Sequence, residues 1–312
     1  MIEIFSSVND RLTNATIDDK RTWISLINPT IEELELVEQK TGCSADFLNA
    51  SLDPEESSRV DKEDDQLLII INASFENQDE NENIEYLTVP VGIILLDHYI
   101  ITVSIEKVNC IEYFKNSFRK DIDVNKKTRF TLQIIYQMAV QYLAALRKID
   151  RKTDDVERLL YGSLKNEYLF ELLSLEKTIV YFTTALSGNE KLMRKLFRTQ
   201  FLKRYDEDED LLEDTIIELQ QATEMAQING QVLRSLRDAF ASIISNNLNN
   251  VMKTLASITI VLTIPVFITS FFGMNVAFSP IVDNPWFVYF LSFGSILFTG
   301  VIFYVMRRKN LF

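Results

Sequence analysis

Apolar and polar positions are distributed unevenly along this chain. From residue 1 to about 250, charged and apolar residues interleave; from 254 to 282 there is no charged side chain at all. Two uncharged apolar runs stand out, 255–272 and 286–306. At a rise of roughly 1.5 Å per residue, each crosses about 30 Å of hydrocarbon as a helix. Between them sits Gly273-Met274-Asn275, which marks where the first span ends. In the first 125 residues the pattern is different. Short runs at 67–71, 87–96 and 99–103 are rich in β-branched residues and predict strands. The acidic, Asn-rich stretch 76–85 predicts an exposed loop. Pro29-Thr30 followed by Glu32 and Glu33, and Asp53-Pro54-Glu55-Glu56, predict helix starts. Elements alternating in this way predict an α/β domain over 1–125.

Beyond that the period becomes helical. Leu132, Ile135, Met138, Ala139, Tyr142 and Leu146 fall on one helical face. Residues 154–186 continue the pattern as a long helix, with Gly188 as its stop. The acidic run 206–210 then leads into the longest helix. From 211 to 264 there is no proline and one glycine, Gly230, and the pattern enters the first apolar run without a break signal. If continuous to Phe272, this helix is roughly 90 Å long. The predicted organisation is therefore an α/β domain (1–125), a long-helix stalk (126–250), a first transmembrane helix (251–273), an outer loop (274–285), a second transmembrane helix (286–306) and a basic tail (307–312).

The first span is not uniform around its axis. Met252, Ala256, Thr259, Thr263, Val266, Ser270 and Gly273 fall on one face, continued downwards by Asn249, Ser245, Ser242 and Asp238. The other side carries Ile258, Leu262, Phe267, Ile268 and Phe271. Small and hydroxyl residues on one face favour close helix packing in lipid. They also suit a pore wall built from symmetric copies, because two spans per chain cannot enclose a channel alone. The polar end of the stripe points at Asn275. Its carboxamide offers a neutral oxygen and two N–H donors, able to hold the hydration shell of an ion that dehydrates reluctantly, as Mg2+ does.

Charge and composition narrow the classes. With 32 basic and 45 acidic residues the net charge is −13, which argues against nucleic acid as a partner. Cys43 and Cys110 are the only cysteines, lie far apart, and read as core residues; His98, the only histidine, reads as a turn residue. No basic stretch followed by an apolar run opens the chain, so no signal peptide is expected. Arg307, Arg308 and Lys309 follow the second span and Lys253 precedes the first, whereas 276–285 holds one charge, Asp283. The positive-inside rule then puts both termini in the cytoplasm of a multi-pass protein of the cell membrane. There is no phosphate-cradling glycine loop and no nucleophile with a base, so neither an enzyme nor an ATP-driven pump is expected.

Read together, Phe272-Gly273-Met274-Asn275, the second span, the basic tail, Asn249-Asn250-Val251-Met252-Lys253, the segment 23–30 and Leu52-Asp53-Pro54-Glu55-Glu56 resemble the CorA family of divalent-cation channels over essentially the whole chain. The resemblance implies a homopentamer in the bilayer, with a cytosolic αβα domain, a funnel of long helices and an inner ring of first spans. It implies Gly273, Met274 and Asn275 as the selectivity filter. It implies Asp238, Asn249, Met252, Leu255, Thr259, Thr263, Val266 and Ser270 as pore-lining, with Met252 and Leu255 as a hydrophobic constriction. It further implies Asp214 as a ligand of regulatory Mg2+ between subunits, with Asp61, Asp64 and Asp65 as possible neighbours. Phe272 replaces the family's commoner tyrosine, and 276–280 lacks the usual Met-Pro-Glu-Leu stretch. Met274, where a zinc-transporting branch has isoleucine, favours magnesium. The expected function is Mg2+ influx down the electrochemical gradient, gated by cytosolic Mg2+. Transport of Co2+, Ni2+ or Zn2+, or a non-conducting membrane sensor, are the alternatives.

Overall fold

The computed structural model describes residues 1–8, 11–78, 84–115, 122–162, 165–199, 201–202, 205–274 and 285–308. Contacts divide the chain into Met1–Leu236 and Arg237–Phe312.

The first unit is built on a sheet of β1 (Ile2–Val8), β2 (Arg11–Asn14), β3 (Thr22–Ile27), β4 (Arg59–Glu63), β5 (Gln66–Gln78), β6 (Ile84–Leu95) and β7 (Tyr99–Ser104), in the order β2-β1-β3-β7-β6-β5-β4. The β3–β7 pair is parallel, with Thr22 opposite Tyr99, and the other pairs are antiparallel. Alternation along the strands sends side chains to two covered faces. Ile24, Leu26, Leu68, Ile70, Ile94, Ile101 and Val103 pack with Val37 of α1 (Ile31–Thr41) and with Phe47 and Leu48 of α2 (Ala45–Ala50). On the other face Trp23 is fully buried, donates its indole N–H to Thr102 Oγ1 at 2.9 Å, and meets Phe130 of α4 (Lys127–Gly162). Phe130 in turn meets Phe114 of α3 (Asn109–Lys115). Tyr142 of α4 meets Phe182 of α5 (Asn166–Thr199) edge-on at 4.9 Å. The result is the expected α/β domain with helices on both faces of the sheet. The three predicted strand runs lie in β5, β6 and β7, and Thr30 caps α1 in a capping box with Glu33, as its sequence predicts.

Three expectations are corrected. Asp53-Pro54-Glu55-Glu56 does not start a helix. The Asp53 carboxylate accepts from the Glu55 amide at 3.0 Å and its carbonyl from the Glu56 amide at 3.1 Å, closing a turn that feeds β4. The stretch 76–85 is not all loop: β5 runs to Gln78 and β6 starts at Ile84, and Glu76 pairs with Lys148 of α4 at 2.6 Å. The middle of that stretch, 79–83, lies outside the described residues. Gly188 does not stop a helix either. The predicted 154–186 helix straddles the α4 and α5 boundary, and α5 continues through Gly188 to Thr199. Glycine serves close approach there, since a Cβ would stand 3.2 Å from Ser58 Oγ.

The neighbour of Gly188 explains why α5 must come so close. Asn189 is fully buried, and its amide answers both backbone groups of Asn72, accepting from its N–H at 3.0 Å and donating to its C=O at 2.8 Å. It also accepts from Ser58 Oγ at 2.7 Å. β4 begins at Arg59, opposite Ile70, so the Asn189 side chain takes the place of one more ladder residue beyond the start of β4.

The stalk-side part of the unit is helical. α6 (Glu209–Phe272) follows a 3-10 turn at Asp206–Asp208 and is one helix of 64 residues. Within the first unit it buries Thr215, Leu219, Ala222, Ala226 and Leu233. Asn229 donates to the Leu146 carbonyl of α4 at 3.3 Å. The second unit holds the rest of α6 and α7 (Pro285–Arg308). Both α6 and α7 are long and apolar enough to cross a membrane.

Candidate ion pathway along α6

In the second unit α6 has a covered face and a bare one. Ser257, Val261, Ile264, Pro265, Ile268 and Phe272 are buried or half-buried. On that face Phe272 meets Phe287 of α7 edge-on, with centroids 5.4 Å apart. All eight predicted pore-lining residues, Asp238, Asn249, Met252, Leu255, Thr259, Thr263, Val266 and Ser270, are exposed. At about 100° per residue, the centre of that stripe lies about 180° round the helix from the covered face. Leu255 and Ala256 lie on either side of the centre line, about 50° from it. The apolar set opposite the stripe is less uniform than its sequence predicts: Ile268 lies on the covered face, Ile258 and Phe271 flank it exposed, and Leu262 and Phe267 lie exposed nearer the stripe.

The hydroxyls on the stripe have a defined polarity. Thr259 donates to the Leu255 carbonyl at 2.9 Å, and Thr263 to the Thr259 carbonyl at 2.7 Å. Each spends its single proton on the backbone one turn back, so its oxygen lone pairs are what it offers outwards. A cation is served by that orientation. Pro265 sits inside α6, a feature the unbroken helical pattern does not announce. Having no N–H, it cannot bond the carbonyl one turn before it. Thr269 donates nearby, to the carbonyls of Pro265 and Val266 at 3.0 and 3.1 Å.

α6 ends at Phe272, where the tripeptide begins. The Gly273 amide still reaches the Thr269 carbonyl at 3.0 Å, and a Cβ on Gly273 would stand 3.1 Å from that same oxygen, so a side chain is disfavoured there. Met274 is exposed. Asn275 and Asp283 lie outside the described residues, as does Lys309.

Asp214 is on α6 in the first unit, exposed beside α4. The phenol of Tyr136 is held above its ordinary value, chiefly by burial and then by the carboxylates of Glu218 and Asp214. Among the described residues of one chain, no three His, Cys, Asp or Glu side chains come together as a metal site. Asp61 is engaged by Arg59 at 2.5 Å, and Asp64 lies in the β4–β5 turn with positive φ. One feature of the site was not anticipated: Arg237 reaches Asp238 on the stripe.

A sequence profile described as CorA-like Mg2+ transporter protein matches residues 18–308. The chain belongs to the CorA family. That family is one of ion transporters, not enzymes. The cobalt/magnesium transport protein CorA of Methanocaldococcus jannaschii is 26% identical over 315 residues, spanning 98% of this CorA-family chain and 96% of the relative. The magnesium transport protein CorA of Helicobacter pylori (strain 26695) is 24% identical, over 83% of this chain and 80% of its own. The complete structure of the M. jannaschii CorA magnesium transporter superposes with a TM-score of 0.84 at 23% identity, covering 100% of this chain and 99% of the other. These likenesses agree with the fold described above, from the α/β domain through the long helix to both apolar helices.

Proposed function

We propose that this chain conducts Mg2+ into the cell through a pathway lined by the bare face of α6 in a ring of five copies. The observation that carries the reading is the placement of the small and hydroxyl stripe, exposed along its length, about 180° from the α7-facing side. With their protons spent on the backbone, Thr259 and Thr263 still present oxygen lone pairs on that face, beside the Asn249 carboxamide, and polar groups in membrane helices favour a protein or water-filled surface over lipid. A second copy of the same face satisfies them, and a closed ring encloses a path. Asn249, Thr259, Thr263 and Ser270 supply neutral oxygens, and Asn275 with Gly273 and Met274 forms the outer filter for hydrated Mg2+. Met252 and Leu255 form the constriction that dewets when closed.

In the same reading both termini are cytoplasmic, and the membrane potential drives entry. Asp214 contributes to binding of cytosolic Mg2+ between copies. The bound ion offsets repulsion among acidic surfaces and holds the closed state; its loss loosens the ring. Co2+ is a second cargo, supported by the description of the M. jannaschii relative as a cobalt/magnesium transport protein. Mg2+ flux into liposomes, with Mg2+ varied separately on each side, tests the proposal. Uptake that falls as Mg2+ is raised on the cytosolic side, with weaker closure in Asp214→Ala, is expected. An inhibition curve unchanged by Asp214→Ala removes that residue from the sensor, and no flux at all contradicts the whole reading.

A further inference from the structure

From Arg237 to Phe272, α6 carries three charged side chains: Arg237, Asp238 and Lys253. Asp238 is the one carboxylate on that length, and its side chain is 74% exposed. It does not stand alone. Arg237 Nε lies 3.3 Å from Asp238 Oδ1, and its own side chain is 43% exposed. Adjacent residues on a helix point about 100° apart and do not ordinarily face each other. The contact exists because the long arginine stem lets the guanidinium reach sideways to Asp238. Such an exposed pair adds little to stability. Its consequence for a passing ion is larger, because a guanidinium stays charged at every working pH. A divalent cation beside Asp238 meets a neutralised pair rather than a free negative charge, repeated once per copy.

We infer that Arg237 sets how tightly the Asp238 ring holds the transported cation. This rests on the pathway reading above and deepens it. Conduction needs binding strong enough to admit an ion and weak enough to release it. A ring of bare carboxylates at the cytosolic end favours retention, and a counter-charge fixed beside each carboxylate shifts the balance to release. At about 100° per residue Arg237 stands at the same edge of the stripe as Leu255, but a reading of small and polar positions passes over it, and the side-chain contact reveals the pairing.

The test is the concentration dependence of Mg2+ uptake into liposomes by the full chain and by Arg237→Gln, Arg237→Glu, Asp238→Asn and the Arg237→Gln/Asp238→Asn pair. Removing one unit charge at this range from a divalent ion lowers the half-saturating Mg2+ roughly three- to tenfold at low salt. Arg237→Glu lowers it further. Both effects shrink in 0.15 M salt, where the Debye length is about 8 Å, and the Arg237→Gln effect disappears on the Asp238→Asn background. If Asp238→Asn shifts half-saturation while Arg237→Gln does not, the inference is overturned and the pathway stands. If neither variant shifts it, Asp238 is not on the pathway, and both the inference and that assignment fall.

Discussion

Asn189 shows how much one side chain can decide. Its amide stands in for a strand residue against Asn72, and a methyl group in its place leaves the Asn72 N–H without this partner and its C=O with the Tyr142 hydroxyl at 3.0 Å. Asn189→Ala should therefore cost about 2–4 kcal/mol, read as a lowered unfolding midpoint of the solubilised protein, with assembly in the membrane preserved where folding survives. A loss below about 1 kcal/mol would show that water replaces the amide. The two cysteines give a second check. Burial pushes both thiols up to about 12, helped at Cys43 by the nearby Glu38 carboxylate and opposed at Cys110 by backbone hydrogen bonds. The thiolate is the reactive form, so at pH 8 neither should alkylate with iodoacetamide until the protein is unfolded. Fast modification of either in the native state contradicts their place in the core. That these cysteines are core residues is legible from their isolation in the sequence. The partner of Asn189 is not, because Asn72 lies 117 residues away and a mid-helix asparagine reads locally as a helix breaker.

At the scale of elements, α6 was the most legible part. Its length, its apolar run, the end at Phe272 and the composition of the stripe all follow from local pattern. What local pattern does not supply is which face α7 covers, since any stripe of small residues suits a close neighbour as well as a pore. The placement of Ser257, Ile264 and Ile268 with Phe272 resolves that for one chain. It leads to a prediction about copies. Cysteines at Met252 or Thr263 should form disulfide-linked oligomers under mild oxidation in the membrane, while one at Ser257 should not. The reverse pattern would put the stripe against α7 or lipid. Asp53-Pro54 and Gly188 are ambiguous signals: a local turn closed by Asp53 decides the use of the first, and close approach to Ser58 that of the second.

For the whole molecule, the family and its fold were accessible because motif, topology and domain composition agree over nearly the full chain. The ring, the direction of flow and the sensor concern several copies and a membrane, which a single folded chain leaves implicit. Asp214 illustrates this: exposed beside Tyr136, it has no metal cluster of its own among the described residues. The central claim is that Mg2+ passes along the bare face of α6 and through a filter at Asn275. Mg2+ uptake into liposomes by equal amounts of assembled wild-type and Asn275→Ala protein tests it most directly. Uptake by the wild type and a loss of at least about tenfold in the variant is the expected result, equivalent to about 1.4 kcal/mol at the filter. Full uptake by Asn275→Ala contradicts the account.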